Sequence, residues 1–210
     1  TTTIVQSAVE GCTGLTSMTF PVSVTKIDRH AFWNCSNLSS VTLPEKLEEL
    51  NGCAFSGTAL TSITIPTTLK TVDTAYADGT SSRGPFYKCA KLETVTFEEG
   101  MTAIPGFLMR DCAGLKTINW ASSITSIGTY AFNYCTGLEE LVIPGEIATI
   151  GDNAFSYCTG LKNVTLQEGT ATIGRYAFEA CTGLTGMTFP VSVTKIDTYA
   201  FWNCSNLSRV

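Results

Sequence analysis

Hydrophobic positions along this 210-residue chain recur with a period of about 23 residues. Each repeat is marked by a cysteine, replaced in one unit by Gly57, and a leucine follows three residues later. Two further apolar positions come six and eight residues after the cysteine, with a mostly polar position between them. This is the two-residue period of a strand with one buried face. The marker cysteines are Cys12, Cys35, Cys89, Cys112, Cys135, Cys158, Cys181 and Cys204.

A second apolar stretch follows the predicted strand in each unit, and it is usually closed by Asp, Asn or Gly. These residues favour turns and helix N-caps. An Ala-Phe pair then comes before the next cysteine in most units. We therefore predict one short helical turn whose phenylalanine packs into the core opposite the strand. The pairs are Ala31-Phe32, Ala54-Phe55, Ala131-Phe132, Ala154-Phe155, Ala177-Phe178 and Ala200-Phe201.

A single unit of this kind cannot bury its own apolar residues, whereas stacked units can. The chain is therefore predicted to form one solenoid domain over residues 1–210, with a partial repeat at each end. Residues 73–85 enlarge one unit by nine residues. Their Gly, Ser, Asp and Pro content is typical of a surface loop.

The repeat resembles the BspA-like (Treponema pallidum type) leucine-rich repeats, and the segment Ile150-Gly151-Asp152-Asn153-Ala154-Phe155-Ser156-Tyr157-Cys158 carries that signature. The resemblance implies an α/β solenoid: a right-handed leucine-rich repeat coil with a parallel β-sheet on one face and short helical turns on the other. It also implies a bacterial surface or secreted protein associated with adhesion to host matrix proteins and with coaggregation. Two units depart from the pattern. The unit from Cys89 has Pro105-Gly106-Phe107-Leu108-Met109 where the Ala-Phe segment is expected, and the unit from Gly57 carries the 73–85 insertion.

Composition excludes several classes of function. The formal net charge is −5 and no basic patch outweighs it, so neither nucleic acid nor an anionic membrane is an expected partner. No run of about 18 apolar residues is present, so we expect no membrane insertion.

The cysteines are expected to be a column of buried thiols, because residues 23 apart line up from coil to coil. No Cys-x-x-Cys pair suggests zinc, and parallel side-chain directions disfavour disulfides between coils. Cys53 lies outside this column, and we expect it to be the most solvent-reactive thiol.

Catalytic residues, bound cofactors and metal ligands are not expected. His30 lies near Asp28 and Cys35, which invites comparison with a Cys–His pair. However, residues 12–41 and 181–210 differ at only four positions, and one of these differences replaces His30 with Tyr199. A surface-facing histidine is therefore the better interpretation.

The outward face of the predicted strands is the main candidate for ligand binding, because it is rich in Ser and Thr. Thr is also simply a good exposed strand residue, and paired Thr columns resemble ice-binding faces as well. Glu140, Val142, Asn163 and Gly186 interrupt the columns and argue against ice binding. The candidate ligand-binding residues of this face are Thr19, Thr42, Thr64, Thr96, Asn119, Thr165 and Thr188.

The 73–85 loop supplies two further candidates, Tyr76 and Arg83, although a tolerated insertion explains the loop equally well. Our first hypothesis is an adhesin-like, monomeric binding module at the cell surface or outside the cell. It would recognise a protein or glycan of the host matrix or of other bacteria. The alternative is a structural spacer of a larger surface protein, with no ligand of its own.

Overall fold

The computed structural model describes residues 2–73 and 83–209, which form a parallel β-solenoid. Strands on one side of the coils form the first sheet, in which paired residues are mostly 23 apart, as in Leu141↔Val164. Its outward-facing side chains are called the strand face below. The strands are Ser17–Thr19 (β2), Ser40–Thr42 (β4), Ser62–Ile65 (β6), Thr94–Phe97 (β7), Thr117–Asn119 (β9), Glu140–Ile143 (β11), Asn163–Leu166 (β13) and Gly186–Thr188 (β15).

The second apolar stretch of each unit also forms strands, of two residues each. These pair in parallel with the same register, for example Ser126↔Thr149. The strands are Thr3–Ile4 (β1), Lys26–Ile27 (β3), Glu49–Leu50 (β5), Ala103–Ile104 (β8), Ser126–Ile127 (β10), Thr149–Ile150 (β12), Thr172–Ile173 (β14) and Lys195–Ile196 (β16). They form two ladders, β1–β3–β5 and β8–β10–β12–β14–β16, which are together called the second sheet below.

The core lies between the two sheets and the turns, and its residues form columns along the solenoid. The phenylalanines stack face to face: the ring of Phe155 lies 5.2 Å from that of Phe132 and 5.4 Å from that of Phe178. Met109 replaces phenylalanine at this position in one coil and is fully buried. The predicted solenoid and its buried Phe column are therefore confirmed.

The column of thiols is confirmed as well, and all nine cysteines are free. Each thiol from Cys89 to Cys204 donates to the backbone carbonyl of the core residue 26 or more positions earlier. The Cys158 Sγ, for example, lies 3.2 Å from the Phe132 oxygen. The cysteine is therefore a small apolar residue that also links two coils.

The predicted short helical turn is wrong, because the described residues contain no helix. In most coils the residue before the Ala position and the residue before the cysteine take positive φ, as at Tyr130 (57°) and Tyr134 (60°). Left-handed residues at this spacing interrupt a right-handed helical run. The backbone amides of the turn donate alternately within the coil and to the next coil. Cys135 N–H, for example, donates to Phe132 O of the same coil, whereas Phe132 N–H donates to Ala154 O of the next one.

The first sheet is not continuous within the described part of the chain. It consists of three ladders, β2–β4, β6–β7–β9 and β11–β13–β15. The first interruption adjoins the unit that is one residue short, since Cys35 to Gly57 is 22 residues. The second, between β9 and β11, falls between coils of regular length.

Candidate functional site

The strand face is built by parallel pairing in register, which sets equivalent residues side by side. Thr64, Thr96 and Asn119 are aligned on β6, β7 and β9. Six of the seven candidate residues on this face are exposed, and Thr96 is half-buried. Thr96 Oγ1 accepts a hydrogen bond of 3.0 Å from Asn119 Nδ2, which restrains these two side chains. The sequence therefore predicted the orientation of these side chains correctly.

The hydroxyls of the strand face differ from those elsewhere on the coils. Thr25, Thr125 and Ser123 each use their hydroxyl to bind a backbone carbonyl of the preceding coil. Among the described residues, no such bond is made by Thr19, Thr42, Thr64, Thr165 or Thr188, which keep their donors for solvent. These five hydroxyls are thus not needed to hold the coils together.

Charged side chains run along one border of the strand face, where Glu and Lys alternate from coil to coil. Lys116 Nζ lies 2.7 Å from Glu93, and Lys162 Nζ lies 2.6 Å from Glu139. The hydrogen bond from Lys162 and its charge lower the pKa of Glu139, and the same contact raises the pKa of Lys162. The border is zwitterionic, so the face has no dominant sign of charge.

The loop candidates do not join the strand face. Tyr76 and residues 74–82 lie outside the described residues. Arg83 has its guanidinium 4.9 Å from the centre of the Tyr87 ring, in a cleft on the turn side that is also lined by His30 and Trp33. Arg83 thus belongs to the turns rather than to the strands.

Cys53 lies in the same cleft and is only 2% exposed, so the expectation that it is the most reactive thiol is wrong. Side chains of the neighbouring coils, His30 on one side and Tyr87 on the other, enclose it. The exposed thiol is Cys12. Burial raises the pKa of Cys35 and of the thiols from Cys89 to Cys204, that of Cys89 to about 11.

The residues near His30 do not assemble a nucleophile and a base. The Cys35 thiol is buried and donates to Val9 O at 3.0 Å, while His30 is half-buried against Trp33, with ring centres 4.9 Å apart. Burial lowers the pKa of His30. Among the described residues no group of three His, Cys, Asp or Glu side chains could hold a metal ion.

The sequence did not indicate the special position of Trp120. Its indole Nε1 donates to Val142 O across the interruption between β9 and β11, at 3.0 Å. The available signal was size, because the equivalent inward position elsewhere holds Phe, Leu or Ile, for example Phe97 and Ile143. A hydrophobicity pattern does not register that difference.

Comparison with known proteins agrees with this architecture. The model of the BspA type leucine-rich repeat region matches residues 2–82 and 80–208, in six copies. The chain belongs to the BspA-type leucine-rich repeat family. No curated protein gives a significant match to it.

Solved structures of bacterial leucine-rich repeat proteins are similar to this chain in fold. A T. pallidum leucine-rich repeat protein is 22% identical with a TM-score of 0.63, over 92% of this chain and 78% of that one. One from Eubacterium ventriosum is 19% identical with a TM-score of 0.50, over 100% and 69%. In the part of this chain that the structure describes, no helix has the length and apolar character needed to cross a membrane.

Proposed function

We propose that this chain is the binding module of a bacterial cell-surface or secreted protein, acting as a monomer. Its ligand is a protein or glycan of the host matrix or of other bacteria. The contact surface is the strand face, with Thr42, Thr64 and Thr165 representing its three ladders.

The observation that carries this proposal is the set of strand-face hydroxyls that make no bond between coils. A rigid core holds them at strand spacing, about 4.8 Å within each ladder. Ligand hydroxyls or peptide groups can therefore bind several of them at once with little ordering cost, since the scaffold is preorganised.

Family membership supports a binding role over catalysis, because BspA-type repeats typically serve as non-catalytic scaffolds. The mixed charge of the border favours a neutral or zwitterionic ligand over a strongly anionic one. The formal net charge of −5 also disfavours a strongly anionic ligand, because the acidic residues outnumber the basic ones.

The test is binding of the immobilised chain to purified host matrix proteins and to a mucosal glycan array. For each ligand found, Thr64→Lys and Thr165→Lys are compared with Thr149→Lys, an exposed threonine of the second sheet. We expect at least a tenfold loss of affinity for the first two variants and none for the control.

Two results would count against the proposal. Equal affinity in all three variants places the ligand on another surface. Absence of binding across both panels, with the chain folded by circular dichroism, favours the spacer function instead.

A further inference from the structure

The two coils that carry β9 and β11 are separated on the strand face but joined elsewhere. The strands are not paired, and every Cα atom of β9 is more than 8 Å from every Cα atom of β11. Paired strands lie about 4.8 Å apart. The same coils are paired at β10 and β12 in the second sheet. The result is a cleft of about 300 Å³ between these two coils, lined by residues of β9 and β11.

The two coils are also in close backbone contact just before β11, at the other end of the cleft. A Cβ atom added to Gly137 would lie 2.6 Å from Ala113 O, so the two backbones are in close contact just before β11. The separation is therefore confined to the strands themselves. It is a local opening between two fixed points and not a loose junction between two halves of the solenoid.

The side chain of Trp120 bridges the opening. Its ring packs against Phe97 (6.2 Å between centres) and Phe132 (5.8 Å), in the inward column that otherwise holds smaller side chains. In a continuous ladder with the register of the other coils, Val142 O would accept from the backbone N–H of Trp120. It accepts instead from the indole N–H of the same residue.

Both walls of the cleft consequently carry backbone groups with no backbone partner. On the β9 side, the unpaired groups are the N–H and C=O of Ile118 and the C=O of Lys116. On the β11 side, the unpaired groups are the N–H and C=O of Glu140 and the N–H of Val142. Ile118 is half-buried, whereas Val95 and Val164 in the same column are 0% and 4% exposed. These are the edges of two strands that lack a strand between them.

We propose that this cleft binds an extended peptide segment of a partner protein as an added strand. An extended chain offers N–H and C=O groups along both edges, so it can pair with β9 and β11 together. One added strand needs about 9.6 Å between its neighbours, twice the usual spacing. The Cα atoms of β9 and β11 are more than 8 Å apart, so the two strands are too far apart to pair directly with each other.

The walls also indicate the sequence of the segment. Trp120, Ile118 and Leu141 line the cleft towards the core, whereas Lys116 and Glu140 lie at its rim. The segment should therefore alternate small or apolar residues, facing inward, with polar ones facing solvent. This inference rests on the proposed binding function and assigns it a site and a class of partner.

The test uses a capped synthetic peptide with the sequence of residues 161–168, which spans β13 and has the required alternation. We expect saturable binding to the chain by calorimetry. A peptide N-methylated at every second residue loses donors along one edge, so its affinity should fall at least tenfold. Retained affinity of the methylated peptide would overturn strand addition, and preference for oligosaccharides over both peptides would overturn the peptide class.

Hydrogen exchange supplies a second readout that does not depend on affinity. In the free protein the Val142 amide should exchange at least a hundredfold faster than the Thr165 amide, its paired neighbour on β13. The peptide should slow exchange at Val142. Slow exchange at Val142 without peptide would show that the ladder is closed and would refute the proposal.

Trp120→Leu is the decisive variant, since leucine occupies the equivalent position at Leu166. It should close the ladder, protect the Val142 amide and abolish peptide binding, whereas Trp202→Leu on the turn side should leave both unchanged. The experiments distinguish failure of the cleft proposal from failure of the strand-face binding function. If Thr64→Lys abolishes binding of a macromolecule that Trp120→Leu retains, the cleft proposal fails and the strand-face function stands.

Discussion

Truncation of Phe155 to alanine should produce one of the largest losses of stability available in this chain. The side chain is 0% exposed and lies between two parallel rings at 5.2 and 5.4 Å. Phe→Ala at a buried site costs about 3–5 kcal/mol, and each aromatic contact adds about 0.5–1.5 kcal/mol beyond area burial. The surrounding coils are fixed by ladders on two sides and cannot collapse into the cavity. We therefore expect a decrease of about 5 kcal/mol in the free energy of unfolding.

Phe201→Ala is the matched control, because it makes the same substitution in the last coil described. Phe201 stacks on a single parallel ring, that of Phe178, and is only half-buried. The loss there should be about 2 kcal/mol, since less apolar surface leaves water and the cavity is open on one side.

Urea denaturation followed by far-ultraviolet circular dichroism measures both losses. Tryptophan fluorescence must give the same transition, because repeat arrays can unfold in stages. The difference between the two variants is the informative quantity. If Phe155→Ala and Phe201→Ala lower the free energy of unfolding equally, stacking between two rings in a closed core does not add to the stability of the solenoid.

Three further predictions follow from individual contacts. Cys12→Ser should remove the fast phase of thiol labelling by Ellman's reagent at pH 8, whereas Cys53→Ser should leave that phase intact. Lys162→Ala should leave the midpoint of urea unfolding unchanged, since its ion pair with Glu139 is exposed to solvent; a clear decrease of the midpoint would contradict this. His30→Gln should lessen acid sensitivity. The pKa of His30 is lowered in the folded state, so the unfolded chain binds the proton first, and stability is lost as the pH falls below about 6.5. Urea midpoints at pH 7 and pH 5 should therefore converge in the variant.

Much of the fold could be predicted because the relevant information is local and repeated. The alternation around Val95 or Val164 specifies which strand face is buried, and the 23-residue spacing then specifies which residues stack. Each further copy of the pattern strengthens the same conclusion. The outward direction of Thr64 and Thr165 follows from it directly.

The errors arose where neighbouring coils decide the outcome. The helical turn was predicted from turn-favouring residues, but Tyr130 and Tyr134 adopt left-handed conformations that their residue type does not favour. Bonds to the adjacent coil hold them there. The exposure of Cys53 likewise depends on side chains of other coils, which the pattern within one unit does not reveal.

Departures from the repeat deserve the most weight in assigning function to such a chain. Identical coils present the same groups again and again, so a regular face can bind a ligand in several registers and distinguishes poorly between them. Selectivity requires coils that differ from their neighbours. Two consecutive coils carry several such differences: Asn119 and the inward Trp120 on one, and Glu140 and Val142 on the other. Because β9 and β11 are also not paired with each other, these coils combine unpaired backbone hydrogen-bonding groups with side chains that differ from those of the other coils.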